Sequence, residues 1–445
     1  MPHVLTRLAV LASAAALSIA TLSVPAQADQ PATEQVTGQA PRAASTVRVP
    51  GSFTGYGFDA CSAPSQQVMD AWRQASPYSA VGIYISGSLR TCPQDQLTAD
   101  WVRTQARRGW HLLPIHVGPQ ASCAKRDYPI EMSLNKKTAE DQGRAEARSS
   151  VAAAKSLAIR TGSTLYYDLE DYDLAPDDCR QAALSFLSGW TKQLHALGFR
   201  SGVYSNIGAA INSLDVADRL SPGSYAMPDD IWFAWENGRA DTRTDHRVQS
   251  RRWDKHARIH QYDLDTVRTY AGASMKIDLN WVDVGRGSVG SPTRRMCPGV
   301  AVDLRRYPTL RKGSRGAAVK AAQCQLRKQR FTRAKPSGRY DAGTVKAVRK
   351  AQRRLDVRVT GRLDRRTWVA LVSRGSRPLL KVGSTGDPVR RVQRALGAAL
   401  GIRIRVDGLM SPRTSKAVAR FQKRERLERT GNVTIQTWQR LQAGG

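Results

Sequence analysis

Beyond residue 24 the chain has no apolar run long enough to cross a bilayer, which excludes a membrane-spanning segment after that point. Its six cysteines form no C-x-x-C pair, which disfavours a zinc ribbon. His116, His256 and His260 show no metal-ligand spacing, so we expect structural or surface roles for them. The sequence implies no metal or organic cofactor. Acids are scarce only in the C-terminal third, where 8 Asp and Glu face 37 Lys and Arg from residue 301 onward. The basicity of the protein therefore belongs to that third.

The N-terminus has the pattern of an export signal. Arg7 precedes an uncharged apolar run over residues 8–24, and Ala26 and Ala28 follow in an A-x-A arrangement. We expect a signal peptide over 1–28 and a secreted, extracellular or cell-wall-associated protein. Residues 29–54 are rich in Ala, Thr, Gln and Pro without a hydrophobic period, which predicts a disordered lead-in.

An exported chain with an even number of cysteines is expected to form disulfides. Six cysteines allow 15 pairings. Cys297 and Cys324 stand apart from the other four, so we pair them with each other. For the rest we expect Cys61 with Cys92 and Cys123 with Cys179.

The C-terminal third contains an internal repeat with a constant offset of 70, over residues 307–374 and 378–445. Gln323 corresponds to Gln393, and Trp368 to Trp438. Val, Gln and Leu recur at steps of three and four, which predicts helices with one buried face. Each copy therefore reads as a small three-helix module, and residues 289–306 as a linker.

These motifs resemble the peptidoglycan-binding domains that bacteria append to wall enzymes. The second copy keeps the Asp-Gly turn at Asp407 and the Phe-Gln pair at Phe421, whereas the first has Ser337 and Ala351 at those positions. If one copy has lost affinity for its ligand, we expect it to be the first. The resemblance implies peptidoglycan as a partner, and the net positive charge predicts attraction to anionic wall polymers. Nucleic acid is the rival ligand, but export and the absence of a nucleic-acid motif disfavour it.

Between residues 55 and 288, short apolar strands alternate with helical stretches. Eight strand candidates occur, at 56–60, 80–87, 111–118, 164–171, 200–206, 230–237, 257–263 and 275–283. This number and the length of the segment predict an α/β fold, a (β/α)8 TIM-like barrel. Residues 238–256 show no helical stripe, so an incomplete barrel stays open as an alternative.

The stretch TLYYDLEDYD, residues 164–173, carries the strongest functional signal. Side chains alternate along a strand, so Leu165, Tyr167 and Leu169 are expected to pack under the helices. Tyr166, Asp168, Glu170 and Tyr172 then face the lumen and mouth, while Asp171 and Asp173 are interpreted as loop acids. Further acids end other strands, at Asp59, Glu236, Asp263 and Asp278. Carboxylates gathered in one mouth are the groups that glycoside hydrolysis requires; for Asp263 and Asp173 we favour structural roles.

The motifs GFDAC, YYDLEDY, GVYSN, IWFAWEN, IHQYD and IDLNW resemble family 25 glycoside hydrolases, which are lysozymes. A fuller match over about 55–285 is to exported glycoside-hydrolase-like proteins of domain of unknown function 1906, or Rv2525c-like. The resemblance implies Glu170 as general acid and Asp168 as its partner. We also expect substrate-binding roles for a set of residues that line the mouth or offer an aromatic platform: Asp59, Asp278, Tyr166, Tyr204, Trp235, Glu236 and Gln261.

Together these features predict a secreted, monomeric glycosidase that cleaves peptidoglycan strands and is anchored by its two repeats. The alternative is a non-catalytic peptidoglycan-binding or wall-remodelling protein with a degenerate glycosidase barrel.

Overall fold

The computed structural model describes residues 45–290 and 297–445. Its first part is built on eight strands that close into one barrel in sequence order. The strands are β1 (Phe53–Asp59), β2 (Ala80–Ser86), β3 (His111–His116), β4 (Thr164–Asp168), β5 (Arg200–Asn206), β6 (Asp230–Ala234), β7 (Ala257–Tyr270) and β8 (Ala273–Val284). The expected closed eight-stranded barrel is confirmed, and the alternative of an incomplete barrel is wrong.

Five helices connect the first six strands: α1 (Gln66–Ala75), α2 (Ala99–Arg107), α3 (Lys136–Ser156), α4 (Asp177–Ala196) and α5 (Ala210–Leu220). Ser65, Thr98 and Asn135 begin α1, α2 and α3 by accepting a hydrogen bond from the first turn. No helix follows β6 within the described residues 235–256, in agreement with the missing helical stripe.

The barrel departs from an all-parallel (β/α)8 arrangement at its last strand. β8 runs antiparallel to both β7 and β1. The reason is local, because Tyr270 pairs with Ala273 across a two-residue turn in which Ala271 and Gly272 both have positive φ. Such a turn joins only antiparallel strands. The chain therefore leaves β8 at the bottom of the barrel, the end at which the other strands begin.

The predicted alternation along β4 and the residues after it is correct up to Glu170 and wrong at Tyr172. Leu165, Tyr167 and Leu169 pack in the layer between strands and helices, whereas Tyr166 packs inside the lumen with Trp232. Tyr172, expected on the lumen side, is buried in the outer layer instead, and its hydroxyl lies 3.0 Å from Ser213 Oγ. β4 ends at Asp168, so strand periodicity no longer determines where Tyr172 points.

The predicted disordered lead-in over 29–54 needs correction at its C-terminal end. Val47 exchanges backbone hydrogen bonds with Ala158 and Arg160, and Thr164 N donates to Val49 O. Val49 is buried, and β1 already begins at Phe53. These backbone hydrogen bonds and the burial of Val49 fix this segment against the barrel. The rest of the predicted lead-in and the signal peptide over 1–28 lie outside the described residues.

Six helices form the two repeats: α6 (Ala317–Lys328), α7 (Ala342–Arg354) and α8 (Arg365–Ser373), then α9 (Asp387–Leu400), α10 (Pro412–Arg424) and α11 (Ile435–Gln442).

The glutamines at equivalent positions of the two repeats connect a helix to a turn. The side-chain carbonyls of Gln323 and Gln393 accept from the backbone N–H of Gly338 and Gly408, at 2.8 and 2.9 Å. Both glycines have positive φ, so the motif couples a helix to a turn that favours glycine. No helix of the described residues has the length and hydropathy of a membrane span.

All three predicted disulfides are confirmed, as Cys61–Cys92, Cys123–Cys179 and Cys297–Cys324. The first joins the segments that follow β1 and β2. The second joins the segment after β3 to the first turn of α4. The third fastens the segment before the repeats to α6.

The second repeat packs against the bottom of the barrel. Lys381 is 1% exposed, and its Nζ donates to the carbonyl oxygens of Arg73 and Tyr78, at 2.9 and 2.5 Å. The same ammonium lies 5.3 Å from the centroid of the Trp110 ring. Asn432 Nδ2 donates to Ser76 O at 2.9 Å. Repeat 2 is therefore docked on the turn between α1 and β2.

We expect Lys381→Ala to lower the free energy of unfolding by about 2 kcal/mol, because two buried carbonyl groups lose their donor. Arg311 occupies the equivalent position of repeat 1 and is exposed, so Arg311→Ala is the matched control, with an effect below about 0.5 kcal/mol. Urea denaturation and hydrogen exchange of residues 75–80 provide the measurements. Equal effects of the two substitutions would contradict the docking.

Candidate active site

Asp59 and Asp278 lie opposite each other at the mouth of the barrel. They are register partners where β1 pairs with β8. Asp278 Oδ1 accepts from the backbone N–H of Asp265 at 2.6 Å, which fixes its side chain. After burial, the charge of Asp278 raises the pKa of Asp59, because it disfavours a second negative charge nearby.

Asp59 is buried and is held by amide groups. Asn280 Nδ2 donates to Asp59 Oδ2, and Gln261 Nε2 donates to the same oxygen at 3.1 Å. Both amides are themselves oriented, since Trp232 Nε1 donates to Asn280 Oδ1 at 2.8 Å and Tyr204 OH to Gln261 Oε1 at 2.7 Å. Burial, and then the charge of Asp278, raise the pKa of Asp59 to about 7 despite these donors. Asp59 is therefore a carboxyl group that titrates near neutral pH.

A glycine makes room for this arrangement. A Cβ on Gly82 of β2 would lie 2.5 Å from Asp59 Cβ and 2.9 Å from the Trp232 ring. Any side chain at this position would displace the carboxyl group or the indole that orients Asn280.

Asp168 and Glu170 are placed at and just beyond the end of β4. Tyr84 OH donates to Asp168 Oδ2 at 3.1 Å, while Asp168 Oδ1 is buried and has no hydrogen-bond partner among the described residues. Burial, and then the charge of Glu170, raise the pKa of Asp168 well above its usual range; the Tyr84 bond opposes this shift. Burial also raises the pKa of Glu170, against the nearby charge of Arg126.

Gln120 fixes the backbone that carries both acids. Its Nε2 donates to Asp168 O at 2.9 Å, and its Oε1 accepts from Glu170 N at 2.8 Å. Leu169 N donates to Tyr204 O at 3.0 Å. The main chain is thus held on both sides of Leu169, and the half-buried Glu170 is left at the mouth.

The segment after β3 brings two further groups near Glu170. Arg126 lowers the pKa of Glu170, and the charges of Glu170 and Asp168 contribute, after burial, to a raised pKa of Tyr128. The segment is pinned by the Cys123–Cys179 disulfide and by an ion pair of 2.8 Å between Lys125 and Asp171. The loop acid Asp171 therefore helps to hold this segment.

The structure brings together most of the residues that the sequence singled out. Asp59, Gln261 and Tyr204 form one hydrogen-bonded chain, and Gln261 Nε2 also lies 3.5 Å from Asp278 Oδ2. The charges of Asp168, Glu170, Asp59 and Asp278 all contribute, after burial, to a strongly raised pKa of Tyr204. Glu236 is exposed, and its charge contributes to the raised pKa of Asp278.

Two residues expected to bind substrate are placed elsewhere. Tyr166 is completely buried in the lumen, where Gly202 leaves space for its ring, so it offers no surface to a sugar. Trp235 packs against the outer layer between the guanidinium groups of Arg239 and Arg247. Side chains alternate along β6, where Trp232 faces the lumen and Phe233 faces the outer layer. Trp235 follows two residues after Phe233 and therefore lies on the same side as Phe233.

Sequence reasoning missed Tyr84, Asn280, Gln120, Arg126 and Tyr128. Alternation along β2 and β8 was a usable signal for Tyr84 and Asn280, which share a face with Gly82 and Asp278 respectively. The other three lie in the segment after β3, whose position depends on tertiary contacts and a disulfide. Of the histidines, His116 contacts Ser86 and Glu146, His256 contacts Asp283, and His260 lies between two backbone carbonyls, so each has a structural partner.

Comparison with known families divides the chain in the same way as the structure. Residues 70–282 match the Rv2525c-like, glycoside hydrolase-like domain family, and residues 315–371 and 385–441 match the peptidoglycan binding domain family. The barrel is therefore similar to the first family, and each repeat is similar to the second. No curated protein matches the chain.

Several solved structures share similarity with about half of the chain. An uncharacterized B. stearothermophilus protein is 20% identical, with a TM-score of 0.33 and coverage of 51% of this chain and 95% of that one. The catalytic domain of endolysin ply40 from bacteriophage P40 of Listeria monocytogenes is 16% identical, with a TM-score of 0.30 and coverage of 52% and 93%. The modular autolysin LytC from Streptococcus pneumoniae is 12% identical, with a TM-score of 0.32 and coverage of 51% and 46%. Similarities of this size carry no functional argument.

The raised pKa of Asp59 predicts a pH-dependent stability. The folded protein keeps this proton up to a pKa of about 7, whereas an unfolded chain loses it near pH 4. The folded state binds more protons between these values, so the free energy of unfolding should fall as pH rises through this window. Asp59→Asn should flatten the slope, measured by denaturation between pH 4.5 and 8. An infrared titration of wild-type carboxyl groups provides a second readout. Unchanged slopes together with no carboxyl titrating near neutral pH would contradict the assignment.

Proposed function

We propose that this protein is a secreted peptidoglycan hydrolase whose barrel cleaves glycosidic bonds of the glycan strand and whose repeats hold it on the wall. The observation that supports this most is the cluster of four carboxyl groups at the mouth, all with raised pKa values: Asp59, Asp168, Glu170 and Asp278. Such a cluster destabilises the fold, so it favours a chemical role.

Hydrolysis of a glycosidic bond needs one protonated acid at the leaving oxygen and one carboxylate beside the developing oxocarbenium ion. Glu170 fits the first role, because it is half-buried at the mouth and burial favours its protonated form. Asp168 is the proposed partner of Glu170. Its Oδ1 has no hydrogen-bond partner among the described residues, and burial favours its protonated form, so it fits a hydrogen bond to a sugar substituent and serves the second role only after it has lost its proton.

The remaining groups fit substrate binding. Asp59 and Asp278 offer oxygens to sugar hydroxyls, and Tyr204 is oriented through Gln261 in the same chain of hydrogen bonds. We assign Tyr128, and not Tyr166, as the aromatic group near the proposed catalytic acids. Tyr128 is half-buried, and after burial the charges of Glu170 and Asp168 raise its pKa. Three disulfides fit a protein that works in an oxidising exterior.

The repeats fit the anchoring role through their family, and attachment to an insoluble polymer raises the local concentration of enzyme and substrate. Anionic wall polymers are the second proposed partner, since residues 307–445 carry most of the net charge. We propose that the protein acts as a monomer.

Glu170→Gln should lower the release of reducing sugar from purified peptidoglycan by about 10²- to 10⁴-fold, because the proton donor is lost. Asp173→Asn is the matched control: it removes a nearby loop charge but retains an oxygen that can accept from Ala175 N, as Asp173 does at 3.0 Å. We expect it to keep activity within about threefold of wild type, as expected for a surface change away from the proposed acids.

Equal and negligible release by wild type and Glu170→Gln would contradict hydrolysis. That result would favour the alternative of a barrel that holds glycan without cleaving it. If Asp173→Asn lost activity and Glu170→Gln kept it, the assignment of Glu170 as the proton donor would be wrong.

A further inference from the structure

Two adjoining shallow cavities lie on repeat 1, and their charged lining residues all have the same sign. The second cavity is also lined by Gly375 and by Gln442 of repeat 2. The two cavities have volumes of about 410 and 500 Å³, and they share Gln329, Arg330 and Arg374. Six of the lining residues are cationic and none is acidic: Lys328, Arg330, Lys350, Arg353, Arg354 and Arg374. The aromatic ring of Phe331 lines the first cavity, and the Arg374 guanidinium lies 5.2 Å from its centroid.

This charge is not neutralised within the described part of the chain. None of the six side chains forms an ion pair with a described Asp or Glu. The residues gather where α6, α7 and α8 end, and each helix C-terminus offers about half a negative charge. Three helix ends thus offset between one and two of the six positive charges, by the same rough measure. Folding alone does not require the positive charge that remains, because like charges that line the same cavities repel each other and destabilise the module.

The second repeat provides an internal comparison at the offset of 70. Phe331 corresponds to Gly401 and Arg374 to Gly444, so the ring and the guanidinium stacked on it have no equivalent. Lys328 and Arg330 correspond to Ala398 and Leu400. Repeat 2 retains cations at the other three positions, as Arg420, Lys423 and Arg424. Of these, Arg424 pairs with Glu425 at 3.0 Å. The cationic cavity is therefore specific to repeat 1.

The repeats also differ in net charge and in exposure. Repeat 1 has 20 Lys and Arg against three acids over 307–374, and repeat 2 has 14 against four over 378–445. Repeat 2 is docked on the barrel through the buried Lys381, whereas the equivalent Arg311 is exposed. Repeat 2 therefore uses the position of Lys381 to contact the barrel, whereas the equivalent position of repeat 1 is open to solvent.

We propose that the cavity pair is a binding site for a polyol phosphate, a polymer in which phosphodiester groups join short uncharged spacers. This proposal rests on the proposed function, because it names the chemical class of the anionic wall polymer and the site that binds it. Arginine predominates at the site, and its planar guanidinium binds phosphate oxygens in a bidentate manner. Phe331 and the aliphatic part of Arg374 provide an apolar floor on which the uncharged spacer of such a polymer can rest. The expectation that repeat 1 is the copy with weakened affinity concerns its peptidoglycan ligand, and a separate site for a phosphate polymer in this copy is compatible with it.

The test uses the full-length protein and a fluorescent poly(glycerol phosphate) oligomer, with binding followed by anisotropy at several salt concentrations. Lys350→Glu/Arg353→Glu changes two exposed cavity residues. Arg420→Glu/Lys423→Glu changes the equivalent exposed pair of repeat 2 and gives the same net charge. We expect the repeat 1 variant to lose about tenfold or more in affinity and its salt dependence to decrease by about 1 to 2 in log–log slope. The repeat 2 variant should stay within about threefold of wild type.

Equal weakening by both variants would overturn the site, because it would show attraction by net charge alone. Tighter binding of a single-stranded oligonucleotide with the same number of phosphates would overturn the ligand class, and so would equally tight binding of polyglutamate. The glutamine versions of both pairs repeat the comparison if charge reversal impairs folding. No hydrolysis is measured, so an inactive barrel leaves this result standing, and loss of binding leaves the Glu170 result standing.

Discussion

The burial of Asp59 between β1 and β8 is the constraint on which the candidate site depends. Its carboxyl group is held by the amides of Asn280 and Gln261. Burial and the charge of Asp278 nevertheless raise its pKa to about 7. The amides are in turn oriented by Trp232 and Tyr204. Three further carboxyl groups with raised pKa values lie beside Asp59. The cluster therefore keeps at least one proton donor available at a pH at which free carboxylic acids are ionised.

The direction of β8 connects the site with the rest of the molecule. Because β8 is antiparallel to its neighbours, the chain leaves the barrel at the bottom, and repeat 2 docks at that end through Lys381. The mouth, formed at the opposite ends of β1 and β4, is therefore not covered by this repeat. Two disulfides join the segments that follow β1, β2 and β3 to their neighbours, which stabilises the rim around the acids.

Much of this arrangement could be predicted because it follows local rules. The two-residue period of a strand separated Asp168 and Glu170 from Asp171, and the offset of 70 located the repeat helices. The errors arose where local rules end: Tyr172 lies beyond β4, and Trp235 was assigned without regard to parity. Gln120 and Tyr128 are placed by tertiary contacts of a loop, and Lys381 is one lysine in a chain rich in basic residues, so no sequence signal distinguished its burial.

The central claim is that the acids at the mouth hydrolyse a glycosidic bond. The most direct measurement is mass spectrometry of glycan fragments released from purified peptidoglycan in water enriched in oxygen-18. The account predicts soluble fragments that carry one heavy oxygen at each new reducing end, and none when Asp168 and Glu170 are both replaced by their amides. Fragments without the label, or no new reducing ends from the wild-type protein, would contradict it.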